Sequence, residues 1–189
     1  MKVYLATMGC QMNRLDSRLV MASLCSIGVL ALLIAVQGCH RMPDQSTFLS
    51  MGAAPDEAVV QLRCAKIPHI EHIAAHCWFA EYDPNGRTWH RWEVWQKRGS
   101  GRGDWGHLRK NLMSASSGVG AGPAWVLAEW RGSESARVST VLNDPENYPY
   151  TDTYRYWPGP NSNTYVGWVL RKADVKTELP SAAIGASYR

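Results

Sequence analysis

Apolar and polar residues alternate with a period of two in three stretches of the central chain. Ala58–Ile67 (AVVQLRCAKI) and His72–Tyr82 (HIAAHCWFAEY) are rich in Val, Ile and aromatics, which predicts two strands. Asp83-Pro84-Asn85-Gly86 is a turn signal, so Arg87–Gln96 (RTWHRWEVWQ) is predicted to return as the other arm of a hairpin. Gly99–Gly106 reads as a flexible loop, and Ala124–Trp130 as a further strand closed by Gly132. The period then changes. Ser133 is placed as an N-cap, and Ala136, Val138, Val141 and Leu142 recur at helical spacing until Asp144-Pro145 stops the helix. Pro149–Pro160 reads as loop. Asn161 or Ser162 then caps a last helix with Tyr165, Val166, Val169 and Leu170 on its apolar face, followed by an extended tail from Glu178. The order predicts an α+β domain: a small, mainly antiparallel sheet with two or three helices.

The amino-terminal fifth follows another pattern. Leu19–Cys39 contains no charged residue, and Arg14 and Arg18 precede it. A basic stretch, an apolar stretch and then small residues are the order of an export signal. The run ends in Val36-Gln37-Gly38-Cys39, which resembles a bacterial lipobox, although Gln37 stands where a small residue is usual. Lipidation of Cys39 is one expectation. A signal anchor is the other, because about 20 apolar residues suffice to cross a bilayer. The expected organisation is a leader over 1–38, a tether over 39–57 and a single domain over 58–189. These features place the protein at the cell envelope, held to the membrane and facing the periplasm or the exterior.

The composition is globular, with 46% apolar and 19% charged residues, and the formal charge is +4. No Lys/Arg block has the density of a nucleic-acid arm, so no nucleic-acid partner is expected. Nine Trp and eight Tyr against two Phe suit half-buried sheets and grooves for sugars or peptides. Cell-wall peptide or glycan is therefore the expected partner class, besides the membrane itself. With the leader removed, Cys64 and Cys77 form an even pair in an oxidising compartment: either a disulfide or two buried thiols.

Two likenesses can be read from longer strings. Thr7–Ser17, containing GCQMN, resembles the amino-terminal motif of radical-SAM methylthiotransferases. That function requires Cys-x3-Cys-x2-Cys, and Cys10, Cys25, Cys39, Cys64 and Cys77 have no such spacing. From about His72 to Tyr188 the chain resembles the bacterial family called domain of unknown function 3750. His76-Cys77-Trp78, the YPYTDTYRYWPGPNSNTY run, Leu179-Pro180 and Ala183-Ile184-Gly185 carry the likeness. It implies no activity.

The chemistry-bearing residues form three sets. His76 on a strand and Ser162 at a helix start resemble the permuted NlpC/P60 (papain-like) layout, in which a nucleophile at a helix N-terminus faces a strand histidine. Here Ser replaces Cys, and a Ser hydroxyl gains far less than a thiol from a helix dipole. The bland alternatives are an N-cap for Ser162 and a structural histidine for His76. His69, His72 and His76 would share a face on a helix but not on the predicted strand, so no metal is expected, and no cofactor either. Trp89, Trp92, Trp95, Tyr154, Tyr156 and Trp157 form an aromatic set. Tyr154, Arg155, Trp157, Asn161 and Asn163 are the expected binding residues, with Asp152 as a partner for Arg155.

Overall fold

In a computed structural model of the chain, residues 55–189 are described. The leader, most of the tether and Cys39 lie outside them. Six strands form one sheet: β1 (Val59–Lys66), β2 (Ala75–Asp83), β3 (Thr88–Val94), β4 (Asp104–Trp105), β5 (Leu108–Lys110) and β6 (Trp125–Arg131). The sheet order is β4-β5-β3-β2-β1-β6, and all pairings are antiparallel. Two α-helices follow, α1 (Gly132–Leu142) and α2 (Ser162–Lys172). This is the expected α+β class. Among the described residues no helix is long and apolar enough to cross a membrane.

The period-two pattern sorts side chains between the two faces of the sheet. Val60, Leu62, Cys64, Cys77, Phe79, Trp92 and Val94 face both helices, where Val138, Leu142, Tyr165, Val166 and Val169 complete the main core. The opposite face carries Ala65 and Trp78, which pack with Val119 and Ala124. The sheet is thus covered on both sides, by helices on one and by the irregular segment between β5 and β6 on the other. Cover on both sides leaves seven of eight residues of β1 and eight of nine of β2 buried, with the polar Gln61, Arg63, His76 and Glu81 among them.

Three local expectations change. The Gly-rich loop contains β4, a two-residue strand in which Arg109 of β5 pairs with Asp104; so short a strand has no periodicity to read. Helix α1 begins at Gly132, one residue before Ser133, and Arg131 at its N-cap makes no side-chain capping bond. Asp152 pairs with Arg98 at 2.6 Å instead of with Arg155. That pair is exposed and worth little.

Candidate functional site

The β2–β3 ladder runs from Asp83↔Thr88 to Phe79↔Trp92 and goes no further, whereas β1 stays paired with β2 as far as Ala75. Beyond Phe79 the β3-side edge of β2 therefore needs other hydrogen-bond partners. Asn163, in the first turn of α2, supplies them. Its Oδ1 accepts from Cys77 N at 3.1 Å, and its Nδ2 donates to Ala75 O and Ile184 O, both at 3.0 Å. The helix start is thereby fixed to the two residues that flank His76.

Asn161 builds that helix start. Its Oδ1 accepts from the backbone N–H groups of Asn163 and Thr164, and Thr164 Oγ1 accepts from Asn161 N, which makes a reciprocal capping box. Asn161 Nδ2 donates to Tyr156 O and Ile184 O, and Thr164 Oγ1 donates to Gly185 O at 2.7 Å. Ala182 O accepts from Ala75 N. The Ala182–Gly185 tail thus laces α2 to β2. A Cβ at Gly185, where φ is +88°, would stand 2.4 Å from Asn161 Nδ2, so this close approach requires glycine.

His76 projects from β2 onto the face away from the body of α2. Its Nε2 lies 2.8 Å from Glu93 Oε2. Glu93 has no exposed side-chain surface, and Arg91, equally buried, holds it with Nη2 2.8 Å from Oε2 and Nε 2.7 Å from Oε1. The Arg91 guanidinium sits over the Trp78 ring at 3.8 Å and donates to Ser114 O and Ser117 O. Trp95 meets the His76 ring edge-on at 5.1 Å. Burial pulls the His76 pKa below its usual 6.5 and outweighs the Glu93 hydrogen bond and charge, which pull it up. Burial pushes the Glu93 carboxyl up, but the His76 hydrogen bond and the Arg91 charge more than offset this and hold it below its usual value. The resulting state is an ionised Arg91–Glu93 pair beside a neutral imidazole. The His76 side chain keeps 7% of its surface exposed.

Ser162 is 5% exposed and is not the cap. Among the described residues no hydrogen bond joins its hydroxyl to His76. Asn161 and Asn163 are buried, and their amides are used by the scaffold. Tyr154 packs on His107 and Tyr156; Arg155 N donates to Pro160 O, closing the loop; and Trp157 is 68% exposed. The aromatic set is divided by the strand period. Trp92 stacks on Trp105 on the helix side, while Trp89 meets Tyr82 and Trp95 meets His76 on the other side. His69 and His72 are exposed in the turn before β2, and among the described residues no three His, Cys, Asp or Glu side chains gather as metal ligands.

Cys64 and Cys77 are cross-strand neighbours joined by a disulfide, with Cα atoms 4.1 Å apart. A separate open cavity of about 570 Å³ lies along Thr88, Trp89 and Asn111–Ser116, with neither His76 nor Ser162 in its lining. Sequence reading missed Arg91 and Glu93. Their signal was available: two opposite charges at i and i+2 of a Trp-rich strand share one face, and on a covered sheet they must pair.

A family model for proteins of unknown function, DUF3750, matches residues 57–188. The chain belongs to this family. No curated protein and no solved structure matches it.

Proposed function

We propose that this is an exported, membrane-anchored protein with a binding role at the bacterial cell envelope, and that its working site is the fork where β2 and β3 part. The observation that carries the location is the Cys64–Cys77 disulfide, since such bonds persist in oxidising compartments. The uncharged run before Cys39 supports the same compartment. At the fork the imidazole, with 7% of its side-chain surface exposed, stands beside Trp95, while the loop before α2 presents Trp157 to solvent. Aromatic surface with a fixed polar group suits a cell-wall peptide or glycan. Cell fractionation with lipid labelling tests the location. The wild-type chain partitions with membranes and has Cys64 and Cys77 blocked to thiol reagents, and Cys39→Ser abolishes labelling. A cytoplasmic chain with both thiols reactive refutes the proposal.

A second reading is hydrolysis of an amide or ester in a permuted papain-like arrangement, with His76 as base and Ser162 as nucleophile. One observation favours it: Asn161 takes the cap, and among the described residues the Ser162 hydroxyl has no hydrogen bond. Against it, the His76 ring projects away from the body of α2 and is engaged with Glu93. Labelling by a fluorophosphonate probe, mapped by mass spectrometry, decides: modification of Ser162 that His76→Ala abolishes supports hydrolysis, and an unmodified Ser162 excludes it.

A further inference from the structure

We propose that Glu93 is a positioning residue that fixes His76 as a neutral imidazole with its proton on Nε2, so that Nδ1 is the proton acceptor of the fork and recognises a neutral O–H or N–H donor on the ligand. This deepens the reading of the fork as the working site and rests on it.

An ionised carboxylate only accepts hydrogen bonds. A ring nitrogen 2.8 Å from Glu93 Oε2 must therefore carry the proton, and that nitrogen is Nε2. Arg91 keeps Glu93 ionised by contacting both carboxylate oxygens, and Arg91 itself is held by Trp78 and by the carbonyls of Ser114 and Ser117. Glu93 and Arg91, both from β3, are the charged groups that act on the ring, while the first turn of α2 supplies no acidic residue. With one carboxylate already bound to an ionised guanidinium, a second proton on the ring would have to be held in a buried site, and burial opposes it. One nitrogen is then a donor turned inward, and the other is a lone pair. Among the described residues Nδ1 makes no hydrogen bond, and it is not one of the fully buried polar atoms left without a partner, so it belongs to the part of the His76 side chain that keeps 7% exposure. A bare lone pair attracts a hydroxyl or an amide N–H and repels carboxylates and phosphates. Hydroxyls and amide N–H groups are the donor chemistry shared by glycans and peptides.

The test is long-range proton–nitrogen NMR on the full-length protein labelled at histidine, with no ligand and then with three probes: an N-acetylglucosamine oligosaccharide, an N-acetyl dipeptide amide, and inorganic phosphate. The wild type at pH 7 shows His76 as a single Nε2–H tautomer. Glu93→Gln gives a mixed or reversed tautomer, because the amide can donate to Nε2. One of the two neutral probes shifts Nδ1, the choice between them tells glycan from peptide, and phosphate does not shift it. A His76 that is Nδ1–H or doubly protonated in the wild type overturns the proposal even if Glu93→Gln fails to fold, and so does a tautomer unchanged in a folded Glu93→Gln protein. If the tautomer is wrong but the neutral probes still shift His76, this inference fails and the fork stands as a binding site. If the tautomer is right and no neutral probe shifts His76, the ligand recognition proposed here fails together with the fork reading.

Discussion

Replacing Asn163 by Ala removes the clamp between α2 and β2, and its cost follows from three hydrogen bonds. Asn163 is 4% exposed, and water has little access to the groups it leaves behind. The N–H of Cys77 loses its acceptor, while Ala75 O and Ile184 O each lose one donor. An orphaned buried donor costs about 1–3 kcal/mol, and a carbonyl with a second lone pair costs less. Asn161 Nδ2 still donates to Ile184 O, which limits the loss at that group. The sum is about 2–4 kcal/mol, a sizeable share of the roughly 5–15 kcal/mol that holds an ordinary domain together. Urea unfolding followed by Trp fluorescence measures the change as a lower midpoint at unchanged slope. Asn163→Asp is a sharper variant. It keeps the acceptor for Cys77 N but turns a carboxylate toward two carbonyl oxygens, so it destabilises at least as much. A loss below about 0.5 kcal/mol in Asn163→Ala, the range of an ordinary surface substitution, would refute the clamp.

Other outcomes follow from the same geometry. Asn161→Ala removes the cap and should cost about 1–2 kcal/mol in the same assay, whereas Ser162→Ala should stay within about 0.5 kcal/mol; the reverse order would mean that Ser162 is the cap. Reducing the disulfide, which spans 13 residues, should cost about 3 kcal/mol and lower the melting temperature under dithiothreitol, and an unchanged melting curve would contradict it. The pKa of His76 is lower in the folded state than the usual 6.5, so below that value the unfolded chain binds more protons. Stability should therefore be intact above about pH 6.5 and decline as the pH falls below it, by at most about 1.4 kcal/mol per pH unit from this group, and His76→Gln should flatten that slope. Gly167→Ala should destabilise strongly, because a Cβ there would stand 2.1 Å from Ala186 O where the tail crosses α2.

Most of the scaffold was legible because its signals are local. The Asp-Pro-Asn-Gly turn between β2 and β3, the apolar alternation of β1 and β2, and the Tyr165-Val166-Val169-Leu170 stripe of α2 each lie within a dozen residues. The shortest strands were not legible, because β5 owes its existence to pairing with β3, and β4 to pairing with β5, and neither to a pattern of its own. The site was legible in outline only. His76 and the Asn161–Asn163 turn could be named from residue type and position, but their junction depends on β2 and β3 parting after Phe79, which no sequence period records. The division of labour within Asn161-Ser162-Asn163 was equally hidden. All three residue types suit a helix start, and the contacts with the Ala182–Gly185 tail and with β2 decide that Asn161 caps and Asn163 clamps. Glu93 was overlooked because a charge in a strand reads as solvent-facing until the second cover of the sheet is known.

The most direct test of the central claim is a residue-by-residue NMR map of the isotope-labelled protein titrated with N-acetylglucosamine oligosaccharides and with short cell-wall peptides. The account predicts that the perturbed signals cluster on His76, Trp95, Ser162 and the Tyr154–Trp157 loop, at the fork. Perturbations confined to the cavity along Trp89 and Asn111–Ser116, or none at all with either probe, would contradict it.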